Sequence, residues 1–448
     1  MTAFEDRLRD SGMSAEESSA KAALFEKLLK ELRGMRGGAV HRRCAFFIPG
    51  RLECLGKHTD YAGGRSLVCA IERGICIVAA ARDDAQIRIF DVGRAASANF
   101  KFNESIEPTA GHWSNFPMTV ARRLARDFPG ARIGADIAFT SDLPRASGMS
   151  SSSAFIIAIF FVLAQVNQLW ETDAYRRAIS SREDLAAYIA AIESGASFKS
   201  FSGARGVGTH GGSEDHVAIL CSRAGFLRQY SFCPIRFERE IRLPERHVFV
   251  IGVSGVKADK TGDAREAYNH ASGAARKIVD LWRRATGRDD SSLAAVLSSG
   301  TNAIDRLRQV LGESKDAEYP ASLLLNRLTQ FAEESNEIIP SAGDALSRSD
   351  FARLGALVDR SQFLAETLLK NQVPETIELA RSARSLGAVA ASAFGAGFGG
   401  SVWALVDSGR AEEFCNAWAT HYHQRFPDWA DASRFFISGP GPGLVPFD

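Results

Sequence analysis

The chain has 448 residues, with 54 Lys plus Arg against 53 Asp plus Glu and a net charge of +1; that balance gives no electrostatic case for a nucleic acid or an anionic membrane as partner. Its length suits two buried cores, since a single core stops growing near ~250–300 residues, and 45% hydrophobic with 24% charged residues is the composition of a globular protein. Seven cysteines, an odd count without Cys-x-x-Cys spacing, argue against a disulfide framework and a zinc site and for reduced thiols in the cytoplasm.

The opening residues Met1 to Arg7 lack a basic region followed by an apolar run, so no signal peptide is expected. Residues 15–36 place Ala20, Ala23, Leu24, Leu28 and Leu32 at amphipathic helical spacing, and Gly34, Gly37 and Gly38 end that helix. Strand-like runs follow at Cys44–Ile48, Leu67–Ala81, Gln86–Val92 and Ile133–Thr140, then helical stretches at 113–127, 151–170 and 183–194. The apolar run Ala154–Val166 is shorter than the ~20 residues a membrane span needs and reads as a buried helix. After Pro244 a short buried strand, His247–Val253, precedes long helical patterns to about 390. Ser401–Val406 is expected as the last strand and 410–425 as the last helix.

Between the first two strands, Pro49 to Gly64 collects Arg51, Lys57, His58, Asp60 and Tyr61 between glycine turns, which reads as a polar loop on a rigid scaffold. Gly148, Met149 and Ser150 to Ser153 follow a strand and a proline turn and open the apolar helix. Backbone N–H groups at a helix start, with serine hydroxyls beside them, suit a phosphate. Gly395 to Gly400 matches Gly-x-Gly-x-x-Gly, but it is expected to follow the helical Leu386–Ser392 and precede a strand. That order excludes a dinucleotide fold, and too few residues remain for a protein kinase. No Gly-x-x-x-x-Gly-Lys-Ser/Thr occurs, so the chain is no P-loop ATPase.

These three segments, in this order, resemble the motifs of the GHMP kinases, and the first resembles the sugar signature of galactokinases. The resemblance covers most of residues 40–440 and implies an α+β, two-domain GHMP kinase fold. Residues 1–38 would form a helical extension and 39–244 an N-terminal domain of mixed β-sheet and helix. Residues 245–448 would form a C-terminal ferredoxin-like α/β sandwich, with the active site in the cleft between the domains. It implies Mg²⁺-dependent transfer from ATP to the anomeric hydroxyl of a monosaccharide, by a protein that is monomeric or homodimeric. Asp215 would be the catalytic carboxylate, with Arg51 holding it ionised. Lys57, His58, Asp60, Gly212 and Tyr268 would meet the sugar. Trp113, Asn115, Gly148 and Ser150, Ser151, Ser152 and Ser153 would bind ATP, with Phe116 beside the adenine. Glu193 with Ser152 or Ser153 would ligate Mg²⁺, and Gly397, Gly399 and Gly400 would buttress the site.

Two positions depart from the resemblance: most galactokinases carry Glu where this chain has Lys57 and Asn where it has Glu53. A lysine at that end of the sugar suits a carboxylate such as C6 of a uronic acid, or it pairs with Glu53. The sequence leaves open galactose or a related hexose, galacturonate or glucuronate, and a sensor that binds sugar and ATP without turnover; Arg51 and Asp215 favour the enzyme.

Overall fold

A computed structural model of the chain describes residues 2–36, 42–109, 111–257 and 263–447. Its larger sheet has nine strands. Six run in the order β13-β1-β2-β5-β3-β4, with β12 and β6 also pairing β2 and β7 pairing β6. In chain order these are β1 (Arg43–Leu55), β2 (Arg65–Ala81), β3 (Gln86–Asp91), β4 (Ala96–Lys101), β5 (Ala135–Ser141), β6 (Phe226–Ser231) and β7 (Arg236–Arg242). A second sheet, ordered β11-β8-β10-β9, is antiparallel throughout and is built from β8 (His247–Val253), β9 (Ala390–Phe394), β10 (Ser401–Asp407) and β11 (Arg434–Ser438). The short β12 (Pro440–Gly441) and β13 (Val445–Phe447) then return to the first sheet.

Strands of the first sheet read as continuous apolar runs because both faces are covered. Alternate residues Phe46, Ile48, Ile75 and Ile77 face the helices 115–127, 151–166 and 182–194, whereas Ala45, Phe47, Cys76 and Val78 face the helices Ala3–Asp10 and Ala15–Arg36. The N-terminal segment is therefore a full layer over the back of the sheet. Phe25 is completely buried, stacks on Phe4 at 4.6 Å and meets Phe447 edge-on at 4.7 Å. Lys21, also buried, reaches Asp142 at 2.6 Å. A third core joins the two sheets, with Leu52, Cys54, Leu67 and Cys69 packed among Phe249, Ile251, Trp403 and the helix Phe351–Leu364.

Three sequence expectations are corrected. Pro49 to Leu55 is not loop but the second half of β1, which pairs with β2 through register shifts at Pro49/Arg51 and Glu53/Leu55; polar side chains are tolerated there because they line a cleft. Ala390–Phe394 is a strand, not the end of a helix. Its alanines favour a helix in isolation, but β10 supplies a ladder and both faces are buried. Gly395–Gly400 is thus a hairpin connection. Nor does the chain end on Ser401–Val406 and a helix: β11, β12 and β13 follow, and the last of them is an edge strand of the N-terminal sheet.

Phe25→Ala removes a fully buried ring at the junction of both termini. It should lower the unfolding free energy by about 3–5 kcal/mol, read as a shift in denaturant midpoint at constant m-value.

Candidate active site

Where the two sheets meet, a cavity of about 610 Å³ is lined from the first sheet by Arg51 and Glu53, from the signature turn by His58 and Asp60, and from the phosphate loop by Gly148 and Ser150 to Ser153. Trp113, Asn115, Phe116, Glu193, Gly212, Asp215, Tyr268 and Gly395 complete the wall for most of the residues singled out by sequence.

Arg51 and Glu53 lie two apart on β1 and so project to one face. The Arg51 guanidinium is buried; its Nε donates to Asp215 Oδ1 at 2.8 Å, its Nη2 lies 2.7 Å from the same oxygen, and its Nη1 donates to the carbonyl of Gly148. Ser153 Oγ donates to Asp215 Oδ2 at 3.2 Å. One cation therefore joins β1, the start of the helix Glu214–Cys221 and the phosphate loop. Asp60 secures the same helix start, since its Oδ2 accepts from the Glu214 N–H at 3.1 Å. A Cβ at Gly212 would lie 2.2 Å from that oxygen, so only glycine fits there. Burial raises the Asp60 carboxyl above its ordinary value.

The phosphate loop enters the helix Ser151–Val166 through Ser150, which has φ 59°, and the Ser150 hydroxyl is buried with no partner among the described residues. Such an N-terminus offers unpaired donors to an anion. Arg145, within the phosphate-loop segment, and Lys257 and Arg265, which carry no motif, also line the cavity, and sequence reasoning gave none of these cations a role. The third glycine segment backs this loop: a Cβ on Gly395 would come within 2.8 Å of the Gly148 carbonyl, and one on Gly397 within 2.2 Å of the Asn371 carbonyl. Gly397, Gly399 and Gly400 lie outside the cavity lining, and the Gly400 N–H donates to the Val256 carbonyl.

Two side chains are placed otherwise than expected. His58, with φ 60°, uses both ring nitrogens internally, Nδ1 2.7 Å from the Tyr61 hydroxyl and Nε2 2.9 Å from the Ala396 carbonyl. Burial lowers its pKa to about 4, so it is a neutral ring that donates from Nε2 and accepts at Nδ1, with no nitrogen left to grip a sugar hydroxyl. Lys57 does not line the cavity at all. Its ammonium is buried, donating to Ser392 Oγ at 2.7 Å and Ser361 Oγ at 3.1 Å. Ser361 in turn donates to Glu334, which also accepts from the Gly56 N–H. Neither a reading of C6 nor a direct pair with Glu53 describes this lysine; it braces the signature turn against the C-terminal helices.

Tyr268 stands at the cavity wall, its ring 5.2 Å from that of His58 and 6.3 Å from that of Tyr61. Trp113 packs against Phe139 and Phe155 while still facing the cavity. Glu193 Oε2 lies 3.1 Å from Nε2 of the buried His216. Among the described residues no group of three or more His, Cys, Asp or Glu is arranged to hold a metal, so a cation here would draw on serine hydroxyls, one carboxylate and the substrate's own oxygens. That donor set suits a hard ion such as Mg²⁺.

Known proteins resemble this chain in sequence and in fold. Residues 38–81 match the galactokinase galactose-binding signature, 115–204 the GHMP kinases N terminal domain and 344–424 the GHMP kinases C terminal model. A galactokinase of Lactococcus lactis, solved in complex with galactose, superposes with a TM-score of 0.75 at 21% identity, covering 94% of this chain and 98% of that one. A mevalonate kinase from L. major superposes at 0.52 and 14% identity over 89% and 96%. The architecture is that of the GHMP kinases. A galactokinase of Chloroflexus aggregans is 30% identical over 391 residues, 84% of this chain and 86% of the relative. One from Actinobacillus pleuropneumoniae is 27% identical over 85% and 89%. The chain belongs to the galactokinase family and is an ATP-dependent carbohydrate kinase.

Lys57→Met should destabilise the fold by about 1–3 kcal/mol, because it takes the buried donor away from the hydroxyl oxygens of Ser361 and Ser392. Thermal or denaturant unfolding checks this. A variant as stable as wild type contradicts the bracing role.

Proposed function

We propose that the protein phosphorylates the anomeric hydroxyl of galactose. The observation that carries this reading is the buried Arg51–Asp215 pair set beside the phosphate loop within one cavity. It is supported by the match of residues 38–81 to a galactose-binding signature and by likeness to galactokinases over 84% and 85% of the chain.

Phosphoryl transfer needs an aligned acceptor, a group to receive its proton, and positive charge on the transferred group. Asp215 takes the acceptor role: its carboxylate orients the anomeric hydroxyl and receives the proton. Arg51 keeps that carboxylate ionised and adds positive charge toward the γ-phosphate. Backbone N–H groups and hydroxyls of Gly148 and Ser150 to Ser153 cradle the phosphates, while Trp113, Asn115 and Phe116 take the purine. Gly212, Asp60 and Tyr268 line the sugar end. Ser152, Ser153 and Glu193 would hold Mg²⁺, which neutralises charge on the phosphate oxygens when bound.

A uronic acid is disfavoured as acceptor, since Lys57 is turned away from the cavity and Glu53, Asp60, Glu214 and Asp215 all line it. A non-catalytic sensor would need no proton acceptor paired with a buried arginine. Cytoplasmic residence is in keeping with seven cysteines that are all unpaired, and no helix among the described residues is long and apolar enough to cross a membrane.

Coupled ADP release over a panel of galactose, galacturonate, glucuronate and arabinose tests the substrate, with galactose expected to lead. Equal or greater efficiency on galacturonate contradicts the reading. Asp215→Asn should lower kcat by roughly 10²-fold or more with ATP affinity nearly intact. Ser152→Ala and Glu193→Gln should each raise the Mg²⁺ concentration needed for half-maximal rate; unchanged magnesium dependence in both would move the ion elsewhere.

A further inference from the structure

His216 follows Asp215 on the helix Glu214–Cys221, and the transfer described above gives it no role. It is 2% exposed, lines the cavity, and has no hydrogen-bond partner at either ring nitrogen among the described residues. An imidazole kept from water with both nitrogens idle is costly, and neutral imidazole is the commonest metal ligand among side chains. Its Nε2 lies 3.1 Å from Glu193 Oε2, close enough for a hydrogen bond but without the alignment of one. Two neighbouring ligands on an octahedral ion with bonds of about 2.1 Å stand about 3.0 Å apart, and they do not point at each other because each points at the ion. Glu193 also lies in the last turn of the helix Arg182–Ser194, the carbonyl end, where the macrodipole favours a cation.

We propose that His216 is a direct ligand to the active-site cation, binding through Nε2 beside Glu193, so that the site takes a first-row transition ion such as Mn²⁺ or Co²⁺ in preference to Mg²⁺. The inference rests on the reading that the cation sits between Glu193 and the serines of the phosphate loop. His216 adds a nitrogen to the oxygen donors already assigned to that ion. Oxygen donors alone suit Mg²⁺, whereas an imidazole shifts the balance toward transition ions. The remaining positions would go to Ser152 or Ser153 and to phosphate oxygens of ATP, which keeps the ion where it neutralises the transferred group. Asp215 and His216 are consecutive and so project about 100° apart around their helix. Asp215 turns to Arg51 and Ser153, and His216 turns to Glu193. One helix start thereby serves the acceptor with one residue and the cation with the next.

The experiment uses the full chain with a non-hydrolysable ATP analogue and no sugar, so its outcome does not depend on which sugar is phosphorylated. Calorimetry compares the affinity of wild type, His216→Gln and Glu193→Gln for the nucleotide loaded with Mn²⁺ and with Mg²⁺. Electron spin echo modulation of the Mn²⁺ complex reports nitrogen bound to the ion, and labelling the protein with [¹⁵N]histidine separates imidazole nitrogen from adenine nitrogen. Wild type should show a directly coordinated histidine nitrogen and prefer the Mn²⁺-loaded nucleotide. His216→Gln should lose that nitrogen and about tenfold or more of the preference for Mn²⁺, while its affinity for the Mg²⁺-loaded nucleotide changes by less than about threefold, because a glutamine carbonyl is a hard oxygen donor. Glu193→Gln should weaken both. An echo pattern that ignores the histidine label, or one that persists in His216→Gln, overturns His216 as a ligand; if Glu193→Gln still weakens binding, the cation stays on Glu193. If neither Glu193→Gln nor the label changes anything, the cation lies elsewhere and both assignments fall. His216→Ala serves in place of His216→Gln should the latter not fold, and the labelled wild type reports histidine coordination without any variant.

Discussion

Burying Arg51 forces distant segments to converge, because a guanidinium removed from water must recover its hydration from fixed acceptors. Those acceptors are Asp215 at the start of one helix and the Gly148 carbonyl in the phosphate loop. With Ser153 closing back onto Asp215, acceptor site and phosphate site share one rigid frame. Precise placement of the reacting groups is the main resource available to a phosphoryl-transfer enzyme. This frame supplies it.

The surrounding fold protects that frame. The first half of β1 lies between two apolar layers, one of them supplied by the N-terminal helices and the returning C-terminal strand, and the second half, which carries Arg51 and Glu53, packs Leu52 and Cys54 into the core shared with the second sheet. The hairpin at Gly395 approaches the phosphate loop backbone to backbone, where any side chain would collide. Lys57 and Glu334, linked through Ser361, fix the turn that follows β1 from the opposite side. Glu334 opens a short π-helical segment, Glu334–Ile338, a feature often found near functional sites.

Residue chemistry was readable from sequence wherever one local motif carried it. The serines after Gly148 announced a helix start, and the glycines around Asp215 announced close backbone approach; both lie in the cavity wall. What sequence hid depended on partners far along the chain. Polar Arg51 and Glu53 disguised a strand, because the cleft that accepts them is built from other segments. Alanines at 390–393 disguised another, whose ladder comes from β10. The residue type of His58 suggested a sugar ligand, yet Tyr61 and the Ala396 carbonyl occupy its nitrogens. The cation at Lys57 suggested an anionic substrate, yet two serines from the C-terminal half draw it inward. Glu214 sits beside Asp215 in sequence, but the hydrogen bond it accepts from Ser66 exists only in three dimensions.

The most direct test of the central claim is a crystal structure with galactose and a non-hydrolysable ATP analogue. The account predicts the anomeric oxygen within hydrogen-bond distance of the Asp215 carboxylate, with Arg51 still paired to it and the triphosphate against Ser150 to Ser153. A sugar whose anomeric carbon points away from Asp215, or a triphosphate bound away from the serine loop, would contradict it.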